Sequence, residues 1–392
     1  LIMSKCLFER KVCVEKTTAQ SITLWRKNHN SLKHMDDSKL SSLLEEDELE
    51  DFGRGGEVNR NSSTKGITSS FSSVPLRAPA QSSSEKYSPL DWRQYFDQEQ
   101  DVAITNANNV FRVYVAGKEG PVVFALHGGG YSGLSFALSA SMIKEKARFV
   151  AMDLRGHGNT STENDNDLSV ETLCDDVLAV INAMYGETLP AIVLVGHSMG
   201  GSVAVHLAAK RILNSLAGLI VVDVVEGTAM ASLAHMQKVL SNRVQHFRTI
   251  EKAIEWTVKG GILRNLDSAR VSVPNTMKFD DSKKCYVYRA QLEETEQHWV
   301  GWYEGLSQKF LSCPIPKLLL LAGTDRLDKT LTIGQMQGKF QLVVVRHTGH
   351  AIQEDVPEEF ANLVLNFISR NRIGRQGVEI PIKKPSQGIL SN

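Results

Sequence analysis

The chain has 392 residues, of which 42% are hydrophobic, and its 44 lysines and arginines balance 44 aspartates and glutamates. A formal net charge of zero argues against electrostatic binding of nucleic acid or of a membrane surface. No apolar run approaches the roughly 20 residues that span a bilayer, and no secretory leader is evident.

Residues 1–86 differ in composition from the rest, being acidic at 43–52 and rich in serine, proline and glycine at 62–84. Such a segment buries too little apolar surface to offset the entropy of ordering, so we predict a disordered N-terminal tail. Three aromatic residues, Trp92, Tyr95 and Phe96, predict that packing begins near this point. We expect one domain over residues 87–372 and a loose C-terminal tail over 373–392.

Apolar runs and amphipathic segments alternate along the central part of the chain. Strands are predicted at residues 110–115, 121–126, 149–152, 191–195, 219–222, 317–321 and 342–345. Helices are predicted at residues 134–146, 170–185, 203–209 and 356–368. This alternation predicts an α/β fold with a doubly wound, mostly parallel sheet, whose ligands lie at the carboxyl ends of the strands.

Residues 226–312 interrupt the alternation, with helical spacing at 228–240, 250–258 and 291–309. Aromatic residues such as Trp299 and Trp302 are frequent here, and apolar aromatic walls are typical of small-molecule pockets. We therefore expect a helical cap over the site, with ordinary crossover packing as the alternative.

The sequence Gly-His-Ser-Met-Gly at 196–200 lies between a predicted strand and a predicted helix. This strand–turn–helix pattern resembles the nucleophile elbow of α/β-hydrolases, in which the central serine is exposed at the top of the sheet. Any side chain at Gly196 or Gly200 is expected to collide with the neighbouring strand or helix. Ser198 is accordingly the candidate nucleophile.

The sequence His-Gly-Gly-Gly at 127–130 follows another buried strand. Glycines let a backbone approach a substrate oxygen closely, so Gly129 is a candidate donor to an oxyanion. The second candidate donor is Met199, because the residue after the nucleophile supplies an N–H group in this fold.

A base and an acid are needed to activate a serine, and in this fold they follow it along the chain. The candidate base is His350, because we expect Gly349 to let the loop turn this histidine back over the sheet edge. His347 is more simply explained as the residue that ends the last strand. The residues alone do not decide which aspartate is the acid. Asp223 follows one predicted strand, and Asp325 and Asp328 follow the next.

Several motifs resemble the protein phosphatase methylesterase family, and the resemblance covers residues 88–370. The most specific is Asp-Val-Val-Glu-Gly-Thr-Ala-Met at 223–230, and others lie at 196–201, 265–272, 299–307, 313–323 and 325–340. The N-terminal tail departs from the family, and residues 274–285 are short where some members carry a long acidic insert.

This resemblance implies a serine carboxylesterase that removes the methyl ester from the C-terminal leucine of the protein phosphatase 2A catalytic subunit. It implies Ser198 as nucleophile, Asp223 as acid and His350 as base, and we expect a monomer without a cofactor or metal. An inhibitory phosphatase-binding protein with a secondary esterase activity and a general small-ester hydrolase are the alternatives.

The five cysteines show neither a paired disulfide framework nor a metal-binding spacing. We expect reduced thiols and a cytoplasmic or nuclear protein. The cysteines are Cys6, Cys13, Cys174, Cys285 and Cys313.

Overall fold

A computed structural model describes residues 83–104, 108–186, 188–323 and 327–374. The predicted N-terminal tail up to residue 82, Cys6 and Cys13 within it, and nearly all of the predicted C-terminal tail lie outside these ranges. The last residues of the predicted N-terminal tail form a short helix, α1 (Ser83–Lys86). In the described part of the chain, no helix is both long and apolar enough to cross a membrane.

An eight-stranded sheet forms the centre of the described domain, in the order β1-β2-β4-β3-β5-β6-β10-β11. These strands are β1 (Gln98–Ala103), β2 (Val110–Ala116), β3 (Val122–Leu126), β4 (Arg148–Met152), β5 (Ile192–His197), β6 (Leu216–Val222), β10 (Lys317–Leu321) and β11 (Gln341–Val344). β2 pairs antiparallel with β1 and β4, and all other neighbours are parallel. The predicted α/β fold with a mostly parallel sheet is confirmed.

Helices cover both faces of this sheet. They are α2 (Ala137–Ile143), α3 (Val170–Tyr185), α4 (Met199–Lys210), α5 (Glu226–Asn242), α6 (Ile250–Lys259), α7 (Leu266–Thr276), α8 (Glu296–Tyr303), α9 (Leu306–Ser312), α10 (Lys329–Met336), α11 (Ile352–Asp355) and α12 (Pro357–Arg370). Within β5, Ile192 and Leu194 pack with α3 and α4, whereas Val193 and Val195 pack with α2 and α12. Burial on both faces explains why the central strands are continuous apolar runs.

The segment from 226 to 312 contains five helices and a small antiparallel sheet, in the order β7-β9-β8. Its strands are β7 (His246–Phe247), β8 (Met277–Asp280) and β9 (Cys285–Tyr288). Trp299 and Trp302 are each 2% exposed and belong to the same apolar core as α4. These two tryptophans are therefore part of the main apolar core, while a separate apolar cluster joins Phe247 to α6 and α7.

Two predicted helices are divided in the structure. Residues 134–146 form a 3-10 turn, Gly133–Phe136, followed by α2. Residues 291–309 form another 3-10 turn, Leu292–Thr295, then α8 and α9, with Gly305 between the helices at a φ of 72°. A left-handed residue ends a helix, and glycine adopts that conformation without steric cost.

Candidate active site

Ser198 lies in a sharp turn between β5 and α4, with a φ of 50° and a ψ of −117°. A Cβ on Gly196 would lie 2.2 Å from the Gly200 carbonyl oxygen, and one on Gly200 would lie 2.4 Å from the carbonyl oxygens of Leu126 and His127. Real Cβ atoms do not approach so closely, so both glycines are required by the turn. The expected steric role of the two glycines is therefore found in the structure.

Asp223 follows β6 directly and is buried, also with a positive φ, of 52°. Its Oδ2 lies 2.8 Å from His350 Nδ1, and its Oδ1 accepts a hydrogen bond of 2.8 Å from the Ala322 N–H. A carboxylate at this position fixes the ring tautomer, because Nδ1 must carry the proton that it donates. His350 Nε2 is then the nitrogen available to accept a proton.

His350 lies in the loop between β11 and α11, and 43% of its side chain is exposed. Its backbone oxygen accepts a 3.0 Å hydrogen bond from His197 Nε2, and the two rings lie 4.7 Å apart between centroids. Within the described residues, the Ser198 hydroxyl makes no hydrogen bond to the His350 ring. Catalytic hydrogen bonds are often long before substrate binds and shorten in the complex. The lack of a hydrogen bond between Ser198 and the His350 ring is therefore consistent with a catalytic pair.

Tyr303, from α8 in the 226–312 segment, interacts with the Ser198 side chain. Burial raises the pKa of Tyr303 to about 12, and its interaction with the Ser198 side chain opposes that rise. The phenol therefore stays neutral at physiological pH and can donate a hydrogen bond.

The glycine loop at 128–130 faces the serine turn. A Cβ on Gly129 would lie 3.7 Å from Met199 Sδ, and one on Gly128 would lie 3.2 Å from Ser198 Cβ. Among the described residues, neither the Gly129 nor the Met199 N–H donates a hydrogen bond to another protein group. Two unoccupied donors beside the serine are what an oxyanion requires.

Two buried histidines hold the glycine loop in place. His157 Nε2 accepts a 2.9 Å hydrogen bond from the Gly130 N–H while His157 Nδ1 donates to the Arg155 oxygen at 2.8 Å. His127 Nε2 accepts from the Leu154 N–H at 2.9 Å, and its Nδ1 lies 2.8 Å from the Gly128 oxygen. Burial lowers the pKa of His157 to about 4, so this ring stays neutral and keeps its acceptor.

Asp328, the rival acid within the described residues, has partners of its own at the start of α10. Asp328 caps α10, accepting from the Leu331 N–H at 2.8 Å and from Ser307 Oγ at 2.5 Å. Asp325 lies outside the described residues, and His347 is exposed with a φ of 60°.

The expected reason for Gly349 is wrong. Its backbone does not adopt a positive φ; the left-handed residue of the loop is His347. Instead, a Cβ on Gly349 would lie 3.2 Å from Asp355 Oδ2, to which the Gly349 N–H donates at 2.6 Å. An added Cβ at this position would force the Asp355 carboxylate to shift by a few tenths of an ångström.

No local sequence pattern indicates the supporting roles of His197 and His157. His197 is fully buried, and burial together with the nearby His350 lowers its pKa to about 3. Its backbone partner lies 153 residues away, which sequence spacing does not reveal. Across the described ranges, no group of three or more His, Cys, Asp and Glu side chains could hold a metal ion, and Cys174, Cys285 and Cys313 are free and buried.

We expect His157→Gln to change how stability depends on pH. The folded state holds the pKa of His157 near 4, below its ordinary 6.5, so the unfolded chain binds a proton that the folded chain excludes. This effect lowers stability as pH falls from 6.5 towards 4, by about 1.4 kcal/mol per pH unit. Glutamine keeps an acceptor for Gly130 but binds no proton. The slope of the unfolding free energy against pH should therefore become shallower by about 1.4 kcal/mol per pH unit.

Denaturant unfolding at several pH values in this window measures the slope for both proteins. The raised pKa of Asp153, about 6, acts in the opposite direction in wild type and variant alike, so it cancels in the comparison. His235→Gln, the same replacement at an exposed position, is the matched control. Equal slopes for wild type and His157→Gln would show that the His157 ring is protonated in the folded protein.

The sheet, the strained serine turn and the adjacent Asp–His pair define an α/β-hydrolase. The model of the Alpha/beta hydrolase family matches residues 122–363. The fold is also similar to a solved structure of E-2-(acetamidomethylene)succinate hydrolase, with a TM-score of 0.59, 21% identity and coverage of 69% of this chain and 99% of that one. A marine microorganism esterase aligns with a TM-score of 0.53 at 19% identity, over 67% of this chain and 100% of that one.

Relatives with higher sequence identity show which family of α/β-hydrolases the chain resembles. The chain is 47% identical over 331 residues to protein phosphatase methylesterase 1 of Bos taurus, covering 73% of this chain and 87% of that protein. It is 41% identical over 293 residues to the protein of that name from Schizosaccharomyces pombe, covering 72% and 85%. The chain belongs to the protein phosphatase methylesterase family and is a carboxylic ester hydrolase, which confirms the resemblance seen in the sequence.

Proposed function

We propose that this protein hydrolyses the methyl ester of the C-terminal leucine of the protein phosphatase 2A catalytic subunit. Ser198 is the nucleophile, His350 the general base and Asp223 the acid that orients it. The observation that carries the proposal is the 2.8 Å contact between Asp223 Oδ2 and His350 Nδ1, beside a serine held in an elbow turn. The names of the curated relatives support the phosphatase as the substrate.

In the first half of the reaction, His350 Nε2 takes the proton from Ser198 Oγ as this oxygen attacks the ester carbonyl carbon. Asp223 stabilises the imidazolium that forms. The carbonyl oxygen becomes an oxyanion, which the N–H groups of Gly129 and Met199 bind. Removing one such donor typically costs about 10²–10³ in kcat, so the glycine loop contributes as strongly as many catalytic side chains.

The tetrahedral intermediate then collapses. His350 gives its proton to the methoxy oxygen, the carbon–oxygen bond breaks, and methanol leaves an acyl-enzyme on Ser198. A water molecule, deprotonated by His350, attacks the same carbonyl and releases the leucine carboxylate, while Ser198 recovers its proton. No cofactor is needed for any of these steps.

The test is to mix methylated phosphatase 2A catalytic subunit with this protein and to measure the released methanol and the remaining methyl ester. We expect loss of the ester with wild type and none with Ser198→Ala. A small p-nitrophenyl ester, assayed in parallel, reports the chemistry without the phosphatase. Turnover of the small ester with no loss of the phosphatase methyl ester would contradict the substrate and favour a general small-ester hydrolase.

The same assay mixture also distinguishes ester hydrolysis from inhibition of the phosphatase by binding. If Ser198→Ala still suppressed phosphatase activity as strongly as wild type, inhibition by binding would be a function of its own. If the wild type suppressed the phosphatase and left the ester intact, the proposed reaction would be wrong.

A further inference from the structure

A buried carboxylate that the mechanism above does not use lies beneath the His350 loop. Asp355 is the last residue of α11 and is 9% exposed. A buried charge is costly unless it is hydrogen-bonded, so its partners show what it holds.

Both oxygens of Asp355 accept backbone hydrogen bonds, from two different parts of the chain. Oδ2 accepts from the Gly349 N–H at 2.6 Å and from Thr348 Oγ1 at 3.3 Å, both in the His350 loop. Oδ1 accepts from the Arg264 N–H at 2.7 Å, in the segment that leads into α7. A single carboxylate thus joins the histidine loop to the 226–312 segment.

The Asp355 contact completes the support of the peptide that carries His350. His197 donates to the His350 carbonyl oxygen at 3.0 Å, and Asp355 accepts from the N–H group one residue earlier. Asp223 contacts the His350 ring, whereas His197 and Asp355 form hydrogen bonds with the backbone of the loop. At 2.6 Å, the contact with Asp355 is the shorter of the two backbone contacts, against 3.0 Å for the contact with His197.

The neighbouring residue, Glu354, provides an internal comparison. Ser272 Oγ donates to Glu354 Oε2 at 2.6 Å, and Ser268 Oγ donates to the Glu354 carbonyl oxygen at 2.8 Å. Both contacts join α7 to α11, but neither touches residues 348–350. Loss of one of them should loosen the same packing without acting directly on the histidine loop.

We propose that Asp355 is a positioning residue for His350: it holds the Gly349 peptide against the segment at Arg264, and it thereby sets the distance from the imidazole to Ser198. The proposal rests on the proposed role of His350 as the base. A misplacement of about 1 Å can cost on the order of 10²-fold in rate, so a loss of this contact is expected to reduce kcat strongly.

The test compares Asp355→Ala and Asp355→Asn with Ser272→Ala on a p-nitrophenyl ester, below the melting temperature of each protein. We expect kcat to fall about 100-fold for Asp355→Ala, with KM changed less than about threefold. Asparagine keeps one acceptor and should show a smaller fall. Ser272→Ala should lower the melting temperature yet keep kcat within about threefold of wild type.

Two further readouts distinguish positioning from general destabilisation. The His350 Nδ1 proton, identified as the low-field proton NMR signal that His350→Ala removes, should be lost or broadened in Asp355→Ala and kept in Ser272→Ala. In a His350→Ala background, Asp355→Ala should cause no further fall in kcat, because its effect passes through the imidazole.

The kcat and NMR measurements on these variants test the positioning role of Asp355 and the role of His350 separately. A full additional loss in the His350→Ala background, or an unchanged signal and kcat in both Asp355 variants, would overturn the positioning role. If His350→Ala kept the wild-type kcat, His350 would not be the base. That result would contradict the proposed function, whereas the results above would contradict only the positioning role of Asp355.

Discussion

Replacing Ser198 with alanine is expected to abolish ester hydrolysis, with a fall in kcat of roughly 10⁶-fold, as found for nucleophilic serines that act within a triad. Only the hydroxyl oxygen is lost, and alanine is no larger than serine, so the elbow turn should be preserved. Labelling by a fluorophosphonate, followed by mass spectrometry of the modified peptide, measures the same loss directly.

The matched control is Ser202→Ala, one helical turn further along α4. The Ser202 hydroxyl is buried and donates to the Trp302 carbonyl oxygen. This variant should keep its fluorophosphonate labelling, although it loses a buried hydrogen bond. Labelling of Ser198→Ala at the wild-type level would mean that another residue is the nucleophile.

Asp223→Asn should lower kcat by about 10⁴-fold, since this change has that effect in a well-characterised serine triad. The amide retains the shape of the carboxylate but loses its charge, and it can present an N–H group to the ring nitrogen. His350 would then favour the tautomer with the proton on Nε2, which cannot accept the serine proton. The small-ester assay is the appropriate measurement, because it does not depend on phosphatase binding.

Asp328→Asn and Asp325→Asn are the comparison variants. Asp328 caps α10, and asparagine is nearly as good a cap, so the expected effect on kcat is small. If Asp223→Asn stayed within about tenfold of wild type while Asp325→Asn fell by 10³ or more, the acid would lie on the later strand.

Local patterns predicted most of the fold. Helix α3 has the predicted bounds, Val170–Tyr185, because its apolar spacing is regular and the Ser169 side chain caps its first turn. Strand β1 was missed because it is an edge strand with mostly exposed, polar residues, and α7 was missed because it contains Pro274. The order of strands in the sheet depends on long-range pairing, which no local pattern reports.

The serine turn could be predicted from sequence, but the acid could not be chosen from the residues alone. Strands β6 and β10 are parallel neighbours, with Val222 opposite Leu320, so the residues after both strands reach the same edge of the sheet. Only the three-dimensional direction of each side chain distinguishes them. Asp223 points to His350 while its other oxygen accepts from Ala322, and that information is absent from spacing.

The left-handed backbone at Ser198 and Asp223 implies a conflict between stability and activity. Neither residue is glycine, yet their φ values are 50° and 52°. Such conformations cost on the order of 1–3 kcal/mol each, against a total folding stability of about 5–15 kcal/mol for a typical protein. At Ser198, selection for thermal stability alone would favour glycine, and the resulting protein would be more stable but inactive.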